Sequence, residues 1–419
     1  MLANYLKISI AVLMRRKFLT FVNLFGATLT LTVLVVAYAL FDGVISPSGA
    51  QHRQNQMLLI TRLSLENTQL ENRWSSFLGQ AFFERHVATL ETPDKISYAT
   101  MPNDSTSYLD GRKITSQMRR TDAAYWEILE FDVIDGRVLS ADDVALGSSV
   151  AVINEATAEA FFGAAAVIGE TITVGPESFE VVGVVANEPE TSILAWADIW
   201  VPITTAPAQR DSWIGGGIAL LWFEDPGRMQ LAKDEYEASV ATFEPIDDPA
   251  ELDKASSFAA TAFELFAMDM LENYFEEEFG AVDYVSRFIA IAIVLTLLFM
   301  ALPAINMANL NVGRILERAP EIGLRKATGA STRTLIGQFV FENVVLSLLG
   351  GLLAFALAPI VLAVINDSVF IYGQLSLNFS VLIAGFVFVL VFGVISGIYP
   401  AWKMARLQPA ACLKGLQNV

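Results

Sequence analysis

Residues Glu317–Leu335 read ERAPEIGLRKATGASTRTL, a short charged segment between two long apolar runs. Pro320 suits the first turn of a helix and Gly329 suits its stop. About two helical turns therefore lie between them, with Ile322, Leu324 and Ala327 interleaved by Glu321, Arg325 and Lys326. Ser331 is placed to cap a following helix that runs on into apolar sequence. Two readings fit these residues alone: a docking element held at a membrane face, or a basic loop that only fixes orientation.

Outward from this segment the chain is built for a bilayer. Over 419 residues it is 54% hydrophobic, with a mean hydropathy of +0.48. Four windows exceed the roughly 18 apolar residues that crossing requires: Phe18–Phe41, Phe288–Leu310, about Val344–Ile365, and Ser380–Tyr399. The first, second and fourth contain no Asp, Glu, Lys or Arg, and the third meets Glu342 only at its start.

The net charge of −18 hides two opposite populations. Residues 43–285 carry 40 acidic and 14 basic residues, whereas the remainder carries 5 acidic and 13 basic. Those remaining basic residues cluster at Lys7 and Arg15–Lys17, around Arg314–Arg333, and at Lys403–Lys414, while Asn366–Phe379 has neither Lys nor Arg. The positive-inside rule then places both termini and the 317–335 loop in the cytoplasm and the acidic segment outside. An acidic surface excludes nucleic acid as a partner.

The expected fold is an α-helical membrane protein with four transmembrane helices and a large α+β extracytoplasmic domain between helices 1 and 2. The expected divisions are a cytoplasmic amphipathic segment (1–17), helix 1 (18–42), the outer domain (43–260), a stalk with helix 2 (261–310), a cytoplasmic loop (311–335), helix 3 (336–366), an external loop (367–379), helix 4 (380–400) and a cytoplasmic tail (401–419). The 24-residue uncharged run at Phe18–Phe41 is longer than the apolar core of a signal peptide, which favours a retained anchor. Cys412, the one cysteine, falls in the tail, so the outer domain holds together without disulfides.

Within the outer domain SVAVI (Ser149–Ile153) reads as a buried strand, Asn154 as an N-cap, and Glu155–Phe162 as a helix stopped by Gly163. Thr171–Val174 and Phe179–Val185 read as strands joined by a turn at Gly175 and Pro176. From about Phe258 the spacing of Phe263, Phe266, Met270, Tyr274 and Phe275 predicts a helix that begins outside the bilayer. The acidic run Glu276–Glu278 reads as an exposed helix face, since no calcium-loop spacing accompanies it. Asn306 and Asn309, and the pair Gly393 and Gly397, read as helix-packing positions within the membrane.

Several stretches then carry a family resemblance. ERAPEIGLRKATGAS, followed by Glu342 and by Gly350 and Gly351, resembles the cytoplasmic loop of the FtsX/MacB family of ABC-transporter permeases. NYLKISIAVLMRRKFLTFVNLFGATLTL and ISGIYPAWKMARLQPAACLKG resemble that family's opening and closing segments. DVIDGRVL, VINEATAEAFFG and FEVVGVV resemble the outer core domain of the MacB members, a porter-like lobe with a smaller inserted lobe. The likeness is good over Tyr125–Val185 and weak over Gln51–Met118 and Ile203–Asp253.

The resemblance implies a coupling helix near Glu321–Thr328 that sits on a separate ATPase, with Glu317, Glu321, Ile322, Gly323, Leu324, Arg325, Lys326 and Gly329 as the coupling residues. It further implies a second permease chain, identical or paralogous, a periplasmic adaptor or other outer partner, and surrounding lipid. ATP and Mg would be bound by the ATPase and no cofactor by this chain. The implied mechanism is mechanotransmission or efflux at an inner membrane. A regulator of cell-wall hydrolases and an antimicrobial-peptide sensor are the alternatives.

The residues also exclude chemistry. No G-x-x-x-x-G-K-[ST] occurs, so nothing in these residues cradles nucleotide phosphates in the P-loop manner. With only His52, His86 and a tail cysteine, His/Cys metal sites in the outer domain are excluded. G-x-S-x-G is absent, and the spans carry essentially no mid-membrane ionisable groups of the kind an ion-driven carrier uses. What remains is a non-catalytic membrane subunit.

Overall fold

The computed structural model describes residues 14, 17–45, 49–109, 111–163, 166–190, 192–206, 212–244, 252–271, 283–298, 324 and 328–369, together with Ile383, Val387, Val391, Val394 and Ile398. The chain divides into two compact units, one formed by residues 43–288 with 370–374 and the other by the flanking apolar segments.

In chain order the strands are β1 (Met57–Ile60), β2 (Leu63–Asn67), β3 (Asn72–Leu78), β4 (Lys95–Thr100), β5 (Asn103–Leu109), β6 (Arg112–Thr121), β7 (Val133–Gly136), β8 (Val150–Asn154), β9 (Thr171–Val174), β10 (Glu177–Val185), β11 (Ile199–Pro202), β12 (Ile214–Gly215), β13 (Gly217–Trp222) and β14 (Lys254–Ser257). The helices are α1 (Lys17–Ile45), α2 (Ala123–Ile128), α3 (Ala141–Leu146), α4 (Glu155–Phe162), α5 (Met229–Ala241), α6 (Ala262–Leu271), α7 (Tyr284–Leu298) and α8 (Thr332–Val369).

Strand pairing nests one set of strands inside another. β13 returns from late in the domain to lie antiparallel to both β1 and β4, β14 pairs with β2, and β12 pairs with β3. The intervening strands keep mostly to themselves: β5 pairs with β6, β11 lies parallel to β6 and antiparallel to β8, and β10 lies parallel to β8 and antiparallel to β7 and β9. The two sets meet where Ala99 of β4 pairs with Thr121 of β6. Local pattern explains the inner set. β9 alternates exposed and buried residues as a half-covered strand does, whereas β8, covered on both sides, is almost wholly buried.

Each set has its own core, and a third core joins them. Leu58, Leu63, Phe82 and Tyr236 pack in the outer set, and Ala151, Ile153, Phe179 and Val181 in the inner one. Met57, Leu59, Tyr125, Trp126, Trp200 and Leu220 form the joining core. Close packing in the outer set needs glycine at 217, because a Cβ there would fall 2.1 Å from the Tyr98 hydroxyl. That hydroxyl in turn donates to the Leu78 carbonyl at 3.1 Å.

The expected α4 is found over Glu155–Phe162, with the Asn154 side chain accepting from the Thr157 N–H at 2.8 Å and Gly163 at positive φ after it. The neighbouring strands shift slightly: β8 is Val150–Asn154, and β10 begins at Glu177. One expectation is corrected. The chain does not turn helical at Phe258, because Lys254–Ser257 pairs with β2, Ala260 bridges to Leu59, and α6 begins only at Ala262. The starting signal is local: Thr261 Oγ1 accepts from the Glu264 N–H, and the Glu264 carboxylate accepts from the Thr261 N–H. Tyr274, Phe275, Glu276–Glu278 and Gly280 lie outside the described residues.

Among the described residues two helices are long and apolar enough to cross a membrane, over Thr20–Ala39 and Arg333–Ile365, and α7 is a shorter apolar one. α8 runs from Thr332 to Val369, so it starts inside the stretch read as a loop and ends beyond the expected limit of helix 3. At about 1.5 Å per residue a 38-residue helix is far longer than a hydrocarbon core of about 30 Å.

Candidate functional site

Within residues 317–335 the described residues are Leu324 and those from Thr328 onward. The Thr328 N–H donates to the Leu324 carbonyl at 2.9 Å, and Gly329 follows at φ +96. Ser331 then caps α8, accepting from the Thr334 N–H at 3.2 Å. Gly329 at positive φ and the Ser331 cap thus fix the start of α8. Leu324 is 59% exposed, an apolar side chain presented outward beside charged neighbours in the sequence. Glu317, Glu321, Ile322, Gly323, Arg325 and Lys326 lie outside the described residues, as do Asn306, Asn309, Gly393 and Gly397.

α8 inverts the pattern of a helix in a soluble protein. Its buried stripe is Leu335, Gln338, Glu342, Asn343, Leu346, Ser347, Gly350, Gly351, Ala354, Ala358 and Leu362, at three- and four-residue steps and composed largely of small and polar side chains. The opposite side exposes Leu349, Leu352, Leu353, Leu357, Ile360 and Val364. A water-soluble helix would bury the second group and expose the first. In a bilayer, lipid receives the leucines, while small residues allow close helix contact and polar ones bond between helices. Pro359, inside the helix, is also exposed.

The inward face meets α1. Val35, Val36 and Ala39 pack on Ala358 and Leu362, and the Thr28 hydroxyl donates to the Gly350 carbonyl at 3.2 Å. A side chain can reach a helical backbone carbonyl there because residue 350 has none of its own. α1 turns Phe18, Phe21, Phe25 and Leu29 outward, each about half exposed or more. Higher on α8 the Gln338 amide donates to the Glu342 carboxylate at 3.3 Å, and both are buried with Asn343 and Ser347.

The sequence reading took Glu342 as a boundary and missed Gln338 and Asn343 as interior positions. The available signal is spacing: Gln338 stands four residues before Glu342, and Asn343 four residues before Ser347. Among the described residues no cluster of His, Cys, Asp and Glu could hold a metal ion.

The comparisons with known proteins agree with this geometry. The model of the MacB-like periplasmic core domain matches residues 20–239, and that of the FtsX-like permease C-terminal domain matches residues 288–409. The first match covers all of the weak stretch Gln51–Met118 and the part of Ile203–Asp253 up to residue 239. The macrolide export ATP-binding/permease protein MacB of Azoarcus sp. (strain BH72) is 27% identical over 93% of this chain and 57% of its own length. The uncharacterized ABC transporter permease YvrN of Bacillus subtilis (strain 168) is 26% identical over 71% of this chain and 70% of its own. The chain spans about half the length of the ATP-binding/permease relatives it matches. The crystal structure of the periplasmic region of MacB from Actinobacillus actinomycetemcomitans is 15% identical, covers 54% of this chain and 94% of that one, and superposes with a TM-score of 0.35. A periplasmic core domain followed by an FtsX-like permease domain makes this chain a member of the MacB/FtsX-type family of ABC-transporter permeases.

Proposed function

We propose that the chain is the membrane subunit of an ABC complex that couples ATP hydrolysis on another chain to movement of the outer domain, with efflux or mechanotransmission as its output. The observation that carries this reading is α8, whose small and polar face is buried and whose leucines point outward beside a match to the permease domain. In this reading four spans cross the inner membrane, with both termini and residues 311–335 cytoplasmic and the acidic domain outside, as the one-sided Lys/Arg distribution supports. Four helices make a thin bundle, so a second permease chain completes the pore-side packing. The ATPase holds ATP and Mg, and this chain is non-catalytic and binds no cofactor. Glu321–Thr328 forms the coupling helix, and an adaptor or other outer partner receives the motion.

The test is co-purification of the tagged full chain with its ATPase, followed by measurement of ATP hydrolysis in nanodiscs with and without the permease. Gly323→Pro removes a backbone N–H from a two-turn helix at a cost of about 3 kcal/mol or more. The variant is expected to insert normally and to lose permease-dependent stimulation. Wild-type stimulation in that variant would count against the coupling assignment.

A further inference from the structure

The outer domain is acidic, and nearly all of its cations are engaged. Of the 14 Lys and Arg between residues 43 and 285, eight pair with a carboxylate. Arg85 lies over the Trp213 ring at 5.1 Å, and Arg119 is buried and donates to the Ile193 and Leu194 carbonyls. Arg62 is engaged as well, and Arg210 lies outside the described residues. Arg112 and Lys113 remain. Among the described residues they are the two cations of this domain without a carboxylate, carbonyl or ring partner, although 40 acidic residues share the segment with them.

Both stand where β6 turns back from β5. Tyr108 pairs with Lys113 and Leu109 with Arg112, so the connection between the strands is two residues long. Gly111 sits in it at φ +77, the kind of backbone such turns demand, and a Cβ there would meet nothing within 4 Å. The hairpin is held lower down, where the Thr106 carbonyl accepts from the Gly175 N–H at 2.9 Å and the Gln117 N–H donates to the Asp198 carboxylate at 2.8 Å. From Thr106 to Leu109 a strand advances about 10 Å. At that tip Arg112 and Lys113 are exposed, and Tyr108 is 77% exposed. Directly opposed residues share a face and the next pair takes the other. One face therefore carries Tyr108 with Lys113, and the other carries the half-buried Leu109 with Arg112. Charges that only keep an edge strand from pairing need no such company. Here each cation stands beside an apolar or aromatic side chain.

We propose that this tip is a docking element for a polypeptide partner that presents a narrow acidic cleft. Carboxylates on the two walls pair with Arg112 and Lys113, while Tyr108 and Leu109 fill the space beside them. Arginine takes a carboxylate through two parallel N–H bonds, and tyrosine and arginine are the side chains that most often dominate protein contacts. A second copy of this chain fits poorly, because it brings the same excess of acidic residues. A flat anionic bilayer fits poorly too. It meets one face of the hairpin, hence one cation, while the acidic surface around the tip approaches within the Debye length of about 8 Å. The inference rests on the coupled-permease reading only for the existence of an outer partner, and it names the chemistry by which that partner is held.

A photoreactive benzophenone amino acid in place of Tyr108, in the full chain in its native membrane, tests the tip. Irradiation should join it to a polypeptide other than this chain, at a site flanked by Asp or Glu. With that polypeptide purified and the wild-type chain in neutral-lipid nanodiscs, raising salt from about 50 to about 500 mM should weaken binding about tenfold or more. Arg112→Ser combined with Lys113→Ser should weaken it by about the same factor at low salt and remove most of the salt dependence. Arg112→Lys, which keeps the charge and loses the fork, should fall between the two. Should the double variant misfold, the salt dependence of the wild type and reversal of the partner's carboxylates to lysine decide.

Cross-linking to lipid alone, to a second copy alone or to nothing overturns the docking assignment, as does a partner whose binding ignores both salt and the double substitution. Each of these outcomes leaves the coupled-permease reading standing wherever the permease still stimulates ATP hydrolysis. A chain that stimulates no ATPase overturns that reading and leaves the contact measured at the tip as it is.

Discussion

His86 is buried among the rings of Phe82, Trp213 and Phe243, with its Nδ1 3.0 Å from the Ser239 carbonyl. That contact makes Nδ1 the protonated nitrogen of the neutral ring and leaves the buried Nε2 without a partner among the described residues. Burial pushes its pKa below the ordinary 6.5, with Arg85 adding to the effect and the Ser239 bond opposing it. The folded state therefore binds fewer protons than the unfolded one around pH 6.5. The contribution of His86 to stability is complete above that value and is lost as pH falls through it toward the folded pKa. Unfolding of the full chain followed by intrinsic fluorescence should show lower stability at about pH 5.5 than at about pH 7.5, a difference that His86→Leu reduces. An unchanged pH slope in the variant would remove His86 as its source.

Asp143 behaves in the opposite sense. Hydrogen bonding to the Arg137 guanidinium, then to Ser140, holds its pKa at about 2, so its contribution is complete above 3.8 and disappears as pH falls toward 2. Ser140 and Asp143 form a reciprocal cap on α3. Ser140→Ala is expected to lower stability by about 1 kcal/mol in denaturant titrations at neutral pH, and a loss within error would make the cap incidental.

At the scale of elements, α8 gives a contrast between two faces. Ala354 and Ala358 are fully buried in its inward stripe, whereas Leu352 is 64% exposed on the other side. Ala358→Leu overpacks the contact with Val35 and Val36 and should cost about 1–3 kcal/mol, read as earlier thermal aggregation in detergent. Leu352→Ala should stay within about 0.5 kcal/mol. Equal sensitivity at the two positions would refute the assignment of faces. Elements with local signals were legible: α4 has its Asn cap, its short apolar period and its glycine stop all within ten residues. β14 was not, because KASS has no apolar alternation and is a strand only by pairing with LSLEN of β2.

For the whole molecule, the topology is a matter of charge, and the reading places reporters at Gly147 and Gln374 outside and one at Thr332 inside. A cytoplasmic signal from Gly147 or an external one from Thr332 would reverse it. The mechanotransmission proposal is tested in the chain between α6 and α7. Four glycines inserted after Tyr274 weaken helix continuity by up to about 1 kcal/mol each. The insertion should leave assembly and basal ATP hydrolysis in place while abolishing the biological output. Unchanged output would mean that this segment carries no force and would favour a conventional translocation pathway.

The sequence by itself determined the class of protein. Apolar run lengths, the separation of acidic and basic residues, and the caps at Asn154 and Ser331 are properties of neighbouring residues, and local physics acts on them without help from the rest of the chain. Only the tertiary structure decided what the small and polar side of α8 packs against: Thr28 meets Gly350 across 322 residues of chain. Likewise the nesting of β5–β11 between strands that pair around them, and the buried place of Arg119 under a loop 74 and 75 residues away, follow from contacts that no local pattern encodes. An arginine in an otherwise ordinary strand looks like a surface residue until the carbonyls that surround it are known.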